Sequence, residues 1–338
     1  MKVFEINSGI GMGLMALKQL GVSYESIGRV EADPLRNEVY HQLHGEGRVY
    51  PSLAEANEHL EPRSGIDVCF YSFPYRNLTT MKQSDFFEAF HVFLQTQQPK
   101  ILIWETNKNV CNQRLTPYFQ AWLEALSAHH YRHFYQVMNT KHYGIPQDRE
   151  QLLLISVLDP SIEFLFPEKS KTSLHLSSLL EASPSPELKG YKKASLFPIE
   201  KPHKNKPYPV GVIVSDALKQ KKTQQHLIYS PIGVSPMISS TDDRHPIKIL
   251  TLPPIQTVET STGQYSTPDR VRQSTVYRIL SPLEYWRLMG YSDSDYQRLE
   301  PLNLTDKTLY RLISTSDSLT LLNVCLSALL DASSSVFS

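Results

Sequence analysis

The sequence predicts an α/β fold in which a mostly parallel sheet carries helices on both faces. Short apolar segments alternate with segments of helical periodicity through the first 157 residues. Several apolar segments are continuous, which is typical of parallel strands covered on both sides. A glycine-rich turn follows the first of them and precedes a helical segment. Alternation of this kind predicts right-handed crossovers between the strands.

The predicted elements follow one another in a regular order. Strands are expected at residues 3–6, 27–30, 66–73, 101–104, 135–138 and 152–157. Helices are expected at residues 14–20, 86–94, 117–126, 282–291 and 319–330. Between these groups, residues 166–210 are rich in Pro, Ser and Lys, and a Thr-, Pro- and Ser-rich stretch extends to about residue 275. We therefore expect one α/β domain, residues 1–160 and 276–338, interrupted by a smaller irregular domain at 161–275.

The amino-acid composition indicates a folded chain and gives no sign of a metal site or of a strongly basic nucleic-acid-binding protein. A hydrophobic content of 41% with 20% charged residues is that of a folded chain. The 34 basic residues balance the 34 acidic ones, so contact with nucleic acid would need a local patch. The three cysteines are far apart and lack the spacing of a metal site. No signal peptide and no run long enough to span a membrane is evident, so we expect a cytoplasmic protein without a metal.

The glycine turn suggests a nucleotide-like ligand. It reads Asn7-Ser-Gly-Ile-Gly-Met-Gly13, and glycines there let backbone N–H groups approach a ligand. Glu31 closes the second predicted strand, where a carboxylate accepts the two hydroxyls of a ribose. A tight strand–helix turn with an incidental glutamate explains these residues equally well.

Four further segments strengthen the functional interpretation. They are Tyr71-Ser-Phe-Pro-Tyr-Arg-Asn77, Trp104-Glu-Thr-Asn-Lys-Asn-Val110, Tyr143-Gly-Ile-Pro-Gln-Asp-Arg-Glu-Gln151 and Leu280-Ser-Pro-Leu-Glu-Tyr-Trp-Arg-Leu-Met-Gly-Tyr291. In order and spacing, the five segments resemble the motifs of bacterial and phage DNA (cytosine-5) methyltransferases. The resemblance covers residues 1–157 and about 276–330. It implies the Rossmann-like S-adenosylmethionine-dependent methyltransferase fold, with a mostly parallel seven-stranded sheet and a small irregular target-recognition-like domain.

The resemblance also implies a chemistry that this chain has lost. Enzymes of the family flip a cytosine out of DNA and attack it with the thiolate of a Phe-Pro-Cys-Gln turn. Here that turn reads Phe73-Pro-Tyr-Arg76, so Tyr75 occupies the nucleophile position. A phenol is a poorer nucleophile than a thiol at neutral pH. We expect Cys69 to lie in the core, and nothing in the sequence brings Cys111 to the pocket.

The base-binding side resembles the family in part. Glu105 matches the acid that hydrogen-bonds the flipped cytosine, and Arg149 matches the first arginine of the family's Gln-x-Arg-x-Arg. The second arginine is Gln151. A surviving ion pair that orders a loop is an equally good interpretation of Glu105 and Arg149.

The cofactor side is also altered. The adenine-stacking Phe of the family aligns with Asn7, and the acid that meets the adenine amine falls near residues 50–52, where no carboxylate stands. The late Gly-Asn pair appears as Asp317-Ser318. Gly9, Gly11 and Glu31 match the family. The resemblance thus implies S-adenosylmethionine as cofactor, with Ser318 among its contacts, although the adenine-binding positions differ from the family.

Two further features concern DNA. Only eleven positions separate Tyr75 from Phe86, fewer than the mobile lid of active relatives needs. Nine lysines lie between residues 189 and 222, against two acids. The candidates for phosphate contact are Lys189, Lys192, Lys193, Lys204 and Lys206. A solvated loop is the alternative. Thr251, followed by Leu252, resembles the Thr-Leu pair of the family's recognition loop.

Three functions follow from these residues. The first is a non-catalytic homologue that binds DNA, pairs with an active methyltransferase, or does both. The second is an active methyltransferase on DNA or RNA that uses an unusual nucleophile or one supplied by a partner. The third is a purely structural or protein-binding relic that binds neither a ligand nor DNA.

Overall fold

A seven-stranded sheet forms the centre of the first of two units of the chain. This unit comprises Met1–Asn139, Glu150–Lys169 and Ser316–Ser338. The computed structural model describes residues 1–170, 174–184, 194–196, 206–213, 224–251, 258–259, 265–266 and 277–332.

The strands of the first unit are β1 (Lys2–Ile6), β2 (Glu25–Val30), β3 (Val49–Tyr50), β4 (Val68–Tyr71), β5 (Ile101–Asn107), β6 (Arg132–Asn139) and β7 (Glu150–Val157). Their order in the sheet is β3-β2-β1-β4-β5-β7-β6. The pairs among β1 to β5 are parallel, and β7 runs antiparallel between β5 and β6. This topology confirms the predicted α/β fold with a mostly parallel sheet.

The helices of the first unit are α1 (Met12–Gln19), α2 (Pro34–His44), α3 (Leu53–His59), α4 (Asp85–Gln97), α5 (Thr116–Ser127) and α9 (Leu319–Ala332). Successive strand residues point to opposite faces of a sheet. Phe4, Cys69 and Trp104 pack in one buried cluster with residues of α3, α4 and α5. Their neighbours face the other way: Gly13 of α1 lies against the Phe70 ring, and α1 packs on α9. Helices therefore cover both faces, as predicted.

The sequence analysis did not assign β3, α2 or α3. Helix α2 nevertheless carries a clear start signal, because the Asp33 side chain accepts a hydrogen bond from Arg36 N and Pro34 is the first helical residue. The predicted strand at 66–73 is shorter in the structure, ending at Tyr71. Phe73 lies beyond the last paired residue of β4, and its ring packs in the aromatic core.

The second unit comprises Thr140–Arg149 and Ser170–Thr315. It contains β8 (Ala194–Leu196), β9 (Pro209–Ile213), β10 (Leu227–Tyr229), β11 (Lys248–Leu250), β12 (Val258–Glu259), β13 (Tyr265–Ser266) and β14 (Tyr277–Ile279). Five of these form a sheet in the order β14-β11-β10-β9-β8, and β12 pairs with β13. Among its described residues, the α-helices are α6 (Pro282–Leu288), α7 (Asp293–Gln297) and α8 (Asp306–Ser314).

These boundaries differ from the predicted ones, which assigned residues 276–338 to the first domain and 161–275 to the second. The structure places α6, α7 and α8 in the second unit, because β14 pairs with β11 and leads directly into α6. The loop at residues 140–149 belongs there too, since Gln147 bridges to Ser235 and Asp148 N donates to Ser235 O at 2.9 Å. The boundaries between the two units thus depend on strand pairs and hydrogen bonds between residues that are far apart in sequence.

One stretch in the described part of the chain, Asp306–Ala332, has the length and hydropathy of a membrane-spanning helix. The sequence expectation that no such stretch exists is therefore wrong by that measure. As evidence for a membrane it is weak, because 56% of its most apolar window is buried inside the protein. Residues 315–318 also separate its two helices, α8 and α9.

Candidate functional site

A pocket opens in the first unit where β1, β4 and β5 end side by side. Ligands of doubly wound sheets bind at the carboxyl ends of such strands. The cavity volume is about 40 Å³. Its polar lining consists of Glu5, Asn7, Ser8, Ser72, Glu105 and Asp317. Three of these side chains are carboxylic acids, so the pocket favours a cationic group.

The glycine turn borders this pocket, and its two central glycines have a left-handed backbone. Gly9 and Gly11 have φ of 57° and 81°, the left-handed region that glycine adopts without a steric penalty. A Cβ on Gly11 would lie 2.4 Å from His44 Nε2, whereas one on Gly9 would meet nothing within 4 Å. Gly11 is therefore required by the approach of α2, and Gly9 leaves space beside the turn.

Glu31 and the turn are brought together as the sequence predicts. The carboxylate accepts hydrogen bonds from the backbone N–H groups of Gly9 and Asp33, each at 2.9 Å. The residue is only 6% exposed. A carboxylate has about four acceptor positions, so two backbone donors leave room for the hydroxyls of a ribose. The geometry suits that part of a nucleoside.

The adenine end of the cofactor has no comparable site. Asn7 has a φ of 53°, and its side-chain N–H donates to Ser72 O at 2.6 Å. An amide in this position ties β1 to β4 and offers no ring for adenine to stack on. In the segment where the family's acid would stand, the Ser52 side chain instead accepts a hydrogen bond from Glu55 N at the start of α3.

Taken together, the residues present do not fit S-adenosylmethionine as a whole. Glu31 fits the ribose. The Ser318 hydroxyl is buried and has no hydrogen-bond partner among the described residues, which suits a ligand atom near the start of α9. Against these, Asn7 supplies no aromatic ring on which adenine could stack.

Glu5 is a pocket residue that the sequence analysis missed. Tyr40 Oη donates to its carboxylate at 2.8 Å, and the Arg29 guanidinium lies 3.9 Å from the centre of the Tyr40 ring. Burial raises the pKa of Glu5 to about 7 despite these partners. A signal was available, because a single acid inside the apolar run Val3-Phe-Glu-Ile6 must be paired or neutral when it is buried.

Glu105 and Ser318 meet at the pocket although 213 positions separate them. Ser318 N donates to Glu105 Oε1 at 2.8 Å, immediately before α9 begins. A negative charge at the N-terminus of a helix is stabilised by the N–H groups there and by the helix dipole. Glu105 therefore has a structural role that the sequence analysis did not foresee, in addition to its place in the pocket.

Tyr75 lies outside the residues that line the pocket. Its ring is half-buried against the aromatic core of the first unit, and Arg76 Nε donates to its hydroxyl at 3.4 Å. Hydrogen bonds from Arg76 and Asn109 lower the pKa of the Tyr75 phenol. Phe73, two positions earlier, stacks on Trp104 with ring centres 4.4 Å apart. The segment thus holds its aromatic side chains toward the core.

No long loop separates Tyr75 from the next helix. Residues Tyr75–Gln83 form a 3-10 segment, and α4 follows at Asp85. Met81 of this segment packs against the same aromatic core. The short spacing seen in the sequence therefore corresponds to a folded 3-10 segment.

The remaining predicted residues belong to the second unit. Arg149 is buried, and its backbone oxygen accepts a hydrogen bond from Thr140 N at 3.0 Å. Lys206 and Thr251 are exposed. The other predicted phosphate contacts, Lys189, Lys192, Lys193 and Lys204, lie outside the described residues.

Comparison with known proteins agrees with this architecture. The family profile of C-5 cytosine-specific DNA methylases matches residues 1–328. The type II methyltransferase M2.ScrFI of Lactococcus lactis subsp. cremoris is 25% identical over 64% of this chain, which spans 51% of that protein's length. The orphan methyltransferase M.SPBetaI of Bacillus phage SPbeta is 20% identical, with 95% of this chain and 96% of its own covered.

Among solved structures, the Entamoeba histolytica methyltransferase EhMeth has a TM-score of 0.69 at 15% identity, covering 98% of both chains. The S. pombe Dnmt2 methyltransferase has a TM-score of 0.65 at 16% identity and the same coverage. At these identities the likeness concerns the fold.

Proposed function

Because the chain belongs to the C-5 cytosine-specific DNA methylase family, we propose that it is a non-catalytic member that acts by binding DNA, by pairing with an active methyltransferase, or by both. The observation that carries this proposal is Tyr75. At the position of the family's nucleophilic cysteine stands a phenol whose ring packs on the aromatic core and whose hydroxyl is bonded to Arg76.

No other thiol replaces the missing one. Cys69 and Cys325 are fully buried, and burial raises the pKa of both. Cys111 is exposed, but it does not line the pocket, and partial burial raises its pKa as well. A thiol attacks as its thiolate, so a raised pKa lowers its reactivity at neutral pH.

Loss of the lid supports the same proposal. Closure of a loop over the substrate excludes water and completes a catalytic site. Here the corresponding residues are folded as the 3-10 segment Tyr75–Gln83. We propose that S-adenosylmethionine, the cofactor of the family, binds this chain weakly, through Glu31, the glycine turn and Ser318.

DNA binding would come from the second unit. Lys206 is exposed there, and eight further lysines lie within the same stretch of sequence. Each lysine that neutralises a phosphate adds a salt-dependent contribution to the affinity. Exposed Thr251 lies where the family's recognition loop carries its Thr-Leu pair.

Methyl transfer is the first test. The protein is incubated with DNA and with S-adenosylmethionine carrying a labelled methyl group, and incorporation is measured by mass spectrometry of the DNA. We expect none above a protein-free control. Robust incorporation into DNA, or into RNA in a parallel reaction, would refute the proposal.

Binding is the second test. A gel-shift assay at low and moderate salt should detect a DNA complex that weakens as salt rises. Alanine at Lys189, Lys192, Lys193, Lys204 and Lys206 should reduce affinity and flatten the salt dependence by about 0.9 per lost phosphate contact. Alanine at the exposed residues Lys169 and Lys307 is the control. If neither DNA nor a methyltransferase partner is bound, the protein-binding relic is the better description.

An active enzyme with an unusual or partner-supplied nucleophile is the second candidate. Retention of Glu105 in the pocket favours it, because that carboxylate is the group that reads the cytosine in the family. Methyl incorporation that appears only when a second methyltransferase subunit is added would support this candidate, provided that the added subunit is inactive alone.

A further inference from the structure

A second cavity lies between α4 and α5, and none of its lining residues lines the pocket described above. Its volume is about 120 Å³. The apolar part of the lining comes from the 3-10 segment, from α4 and from α5: Met81, Phe87, Phe90, Leu94, Trp122 and Leu126. None of the residues around this cavity carries a carboxylate or a permanent positive charge.

Buried aromatic side chains form part of the wall. Phe90 is 1% exposed and Trp122 is 3% exposed, with their ring centres 5.2 Å apart. The Phe87 ring meets Trp122 edge-on, with centres 5.3 Å apart. An apolar cavity of about 150 Å³ stays dry and binds benzene. A cavity of about 120 Å³ with three rings in its wall is suited to the same class of ligand.

Two histidines supply the polar part of the lining. His129 Nε2 lies 2.8 Å from His91 Nδ1, and Gln95 Nε2 lies 2.9 Å from His91 Nε2. A hydrogen bond donated by Gln95 places the His91 proton on Nδ1, which then donates to His129. Burial and the neighbouring His91 lower the pKa of His129. The lining therefore contains no carboxylate and no permanently charged side chain that could pair with an ionic ligand.

We propose that the α4–α5 cavity binds a small neutral aromatic molecule of about the size of benzene or phenol. This site is independent of the proposed function, since it uses neither the glycine turn nor the lysine stretch. Met81 belongs to the segment Tyr75–Gln83. An occupant that contacts Met81 would therefore also hold the segment that carries Tyr75.

The test uses benzene and the full chain. At a free benzene concentration ten times the dissociation constant, the folding equilibrium constant should rise about elevenfold, seen as a higher midpoint of thermal unfolding. Saturation-transfer NMR should show direct contact between the protein and benzene. Benzoate has the same ring with a negative charge and should give neither signal.

Two matched variants locate the site. Ala125 lines the cavity and is half-buried, and Ala121 is half-buried one turn earlier on α5 without lining it. Ala125→Leu fills the cavity and should abolish both benzene signals, whereas Ala121→Leu should keep them. Absence of benzene binding by the unmodified protein would overturn the proposal. So would equal responses to benzene and benzoate, or undiminished binding by Ala125→Leu.

Discussion

The neighbouring strands β4 and β5 place two residues singled out in the sequence analysis, Tyr75 and Glu105, in different surroundings. Glu105 on β5 lines the pocket, matches the family and holds the N-terminus of α9. Tyr75, after β4, departs from the family and lies away from the pocket lining. The resemblance implies a chemical role for both positions, but Glu105 also accepts a hydrogen bond from Ser318 N, whereas the Tyr75 ring packs against the aromatic core. Glu105 therefore has a structural role that does not depend on catalysis. Substitutions at four positions test this difference.

The largest effect is expected at Phe73. It is 5% exposed and stacks on Trp104, so Phe73→Ala should lower the free energy of unfolding by about 3–5 kcal/mol. Tyr75→Ala, two positions later on the same segment, should cost only about 1 kcal/mol because that ring is half-buried. Urea unfolding measures both. Equal costs would show that Tyr75 belongs to the structural part of the site.

Glu5 should produce a pH dependence. Its pKa is raised from 4.5 to about 7 in the folded protein, so the folded state holds the proton more tightly than the unfolded state does. Stability should therefore fall as pH rises from about 4.5 to 7, by roughly 3 kcal/mol for this group. Glu5→Gln should remove that part of the slope. An unchanged slope in the variant would contradict the assignment.

Two substitutions at Glu105 distinguish the stabilising contribution of its charge from that of its hydrogen bond. Glu105→Ala leaves the Ser318 N–H without its acceptor and should cost about 1–3 kcal/mol. Glu105→Gln keeps an acceptor and loses only the charge near the helix N-terminus, which should cost about 0.3–1 kcal/mol. Hydrogen exchange at the first turn of α9 reports the change locally. If Glu105→Ala leaves that exchange unaltered, Glu105 has no structural role there.

The smallest effect is expected at the nucleophile position itself. Tyr75→Cys should yield no methyl transfer, because the lid and the adenine platform are still missing. Tyr75→Phe should change stability by no more than about 0.5 kcal/mol, since it removes only the hydroxyl bonded to Arg76. The labelled-methyl assay and urea unfolding check the two variants. Measurable turnover by Tyr75→Cys would mean that the rest of the site is intact.

Much of the first unit was predictable from local patterns. Apolar runs predicted six of the seven strands in its sheet, and the glycine turn and Glu31 lie together as expected. The short strand β3 has only two residues and too little periodicity to detect. The second unit was expected to be irregular, yet it contains a five-stranded sheet. Its strands are three to five residues long, and runs that short are ambiguous without their pairing partners.

Local sequence was sufficient to predict the α/β class and the glycine turn at Gly9 and Gly11, and it places a tyrosine at position 75, because backbone preferences and residue chemistry are local properties. Tertiary structure decided the rest. Only folding brings Ser318 to Glu105 and buries Glu5 beside Tyr40. Hydrogen bonds, burial and the pKa shift of Glu5 depend on groups far apart in sequence, and their positions are set by packing.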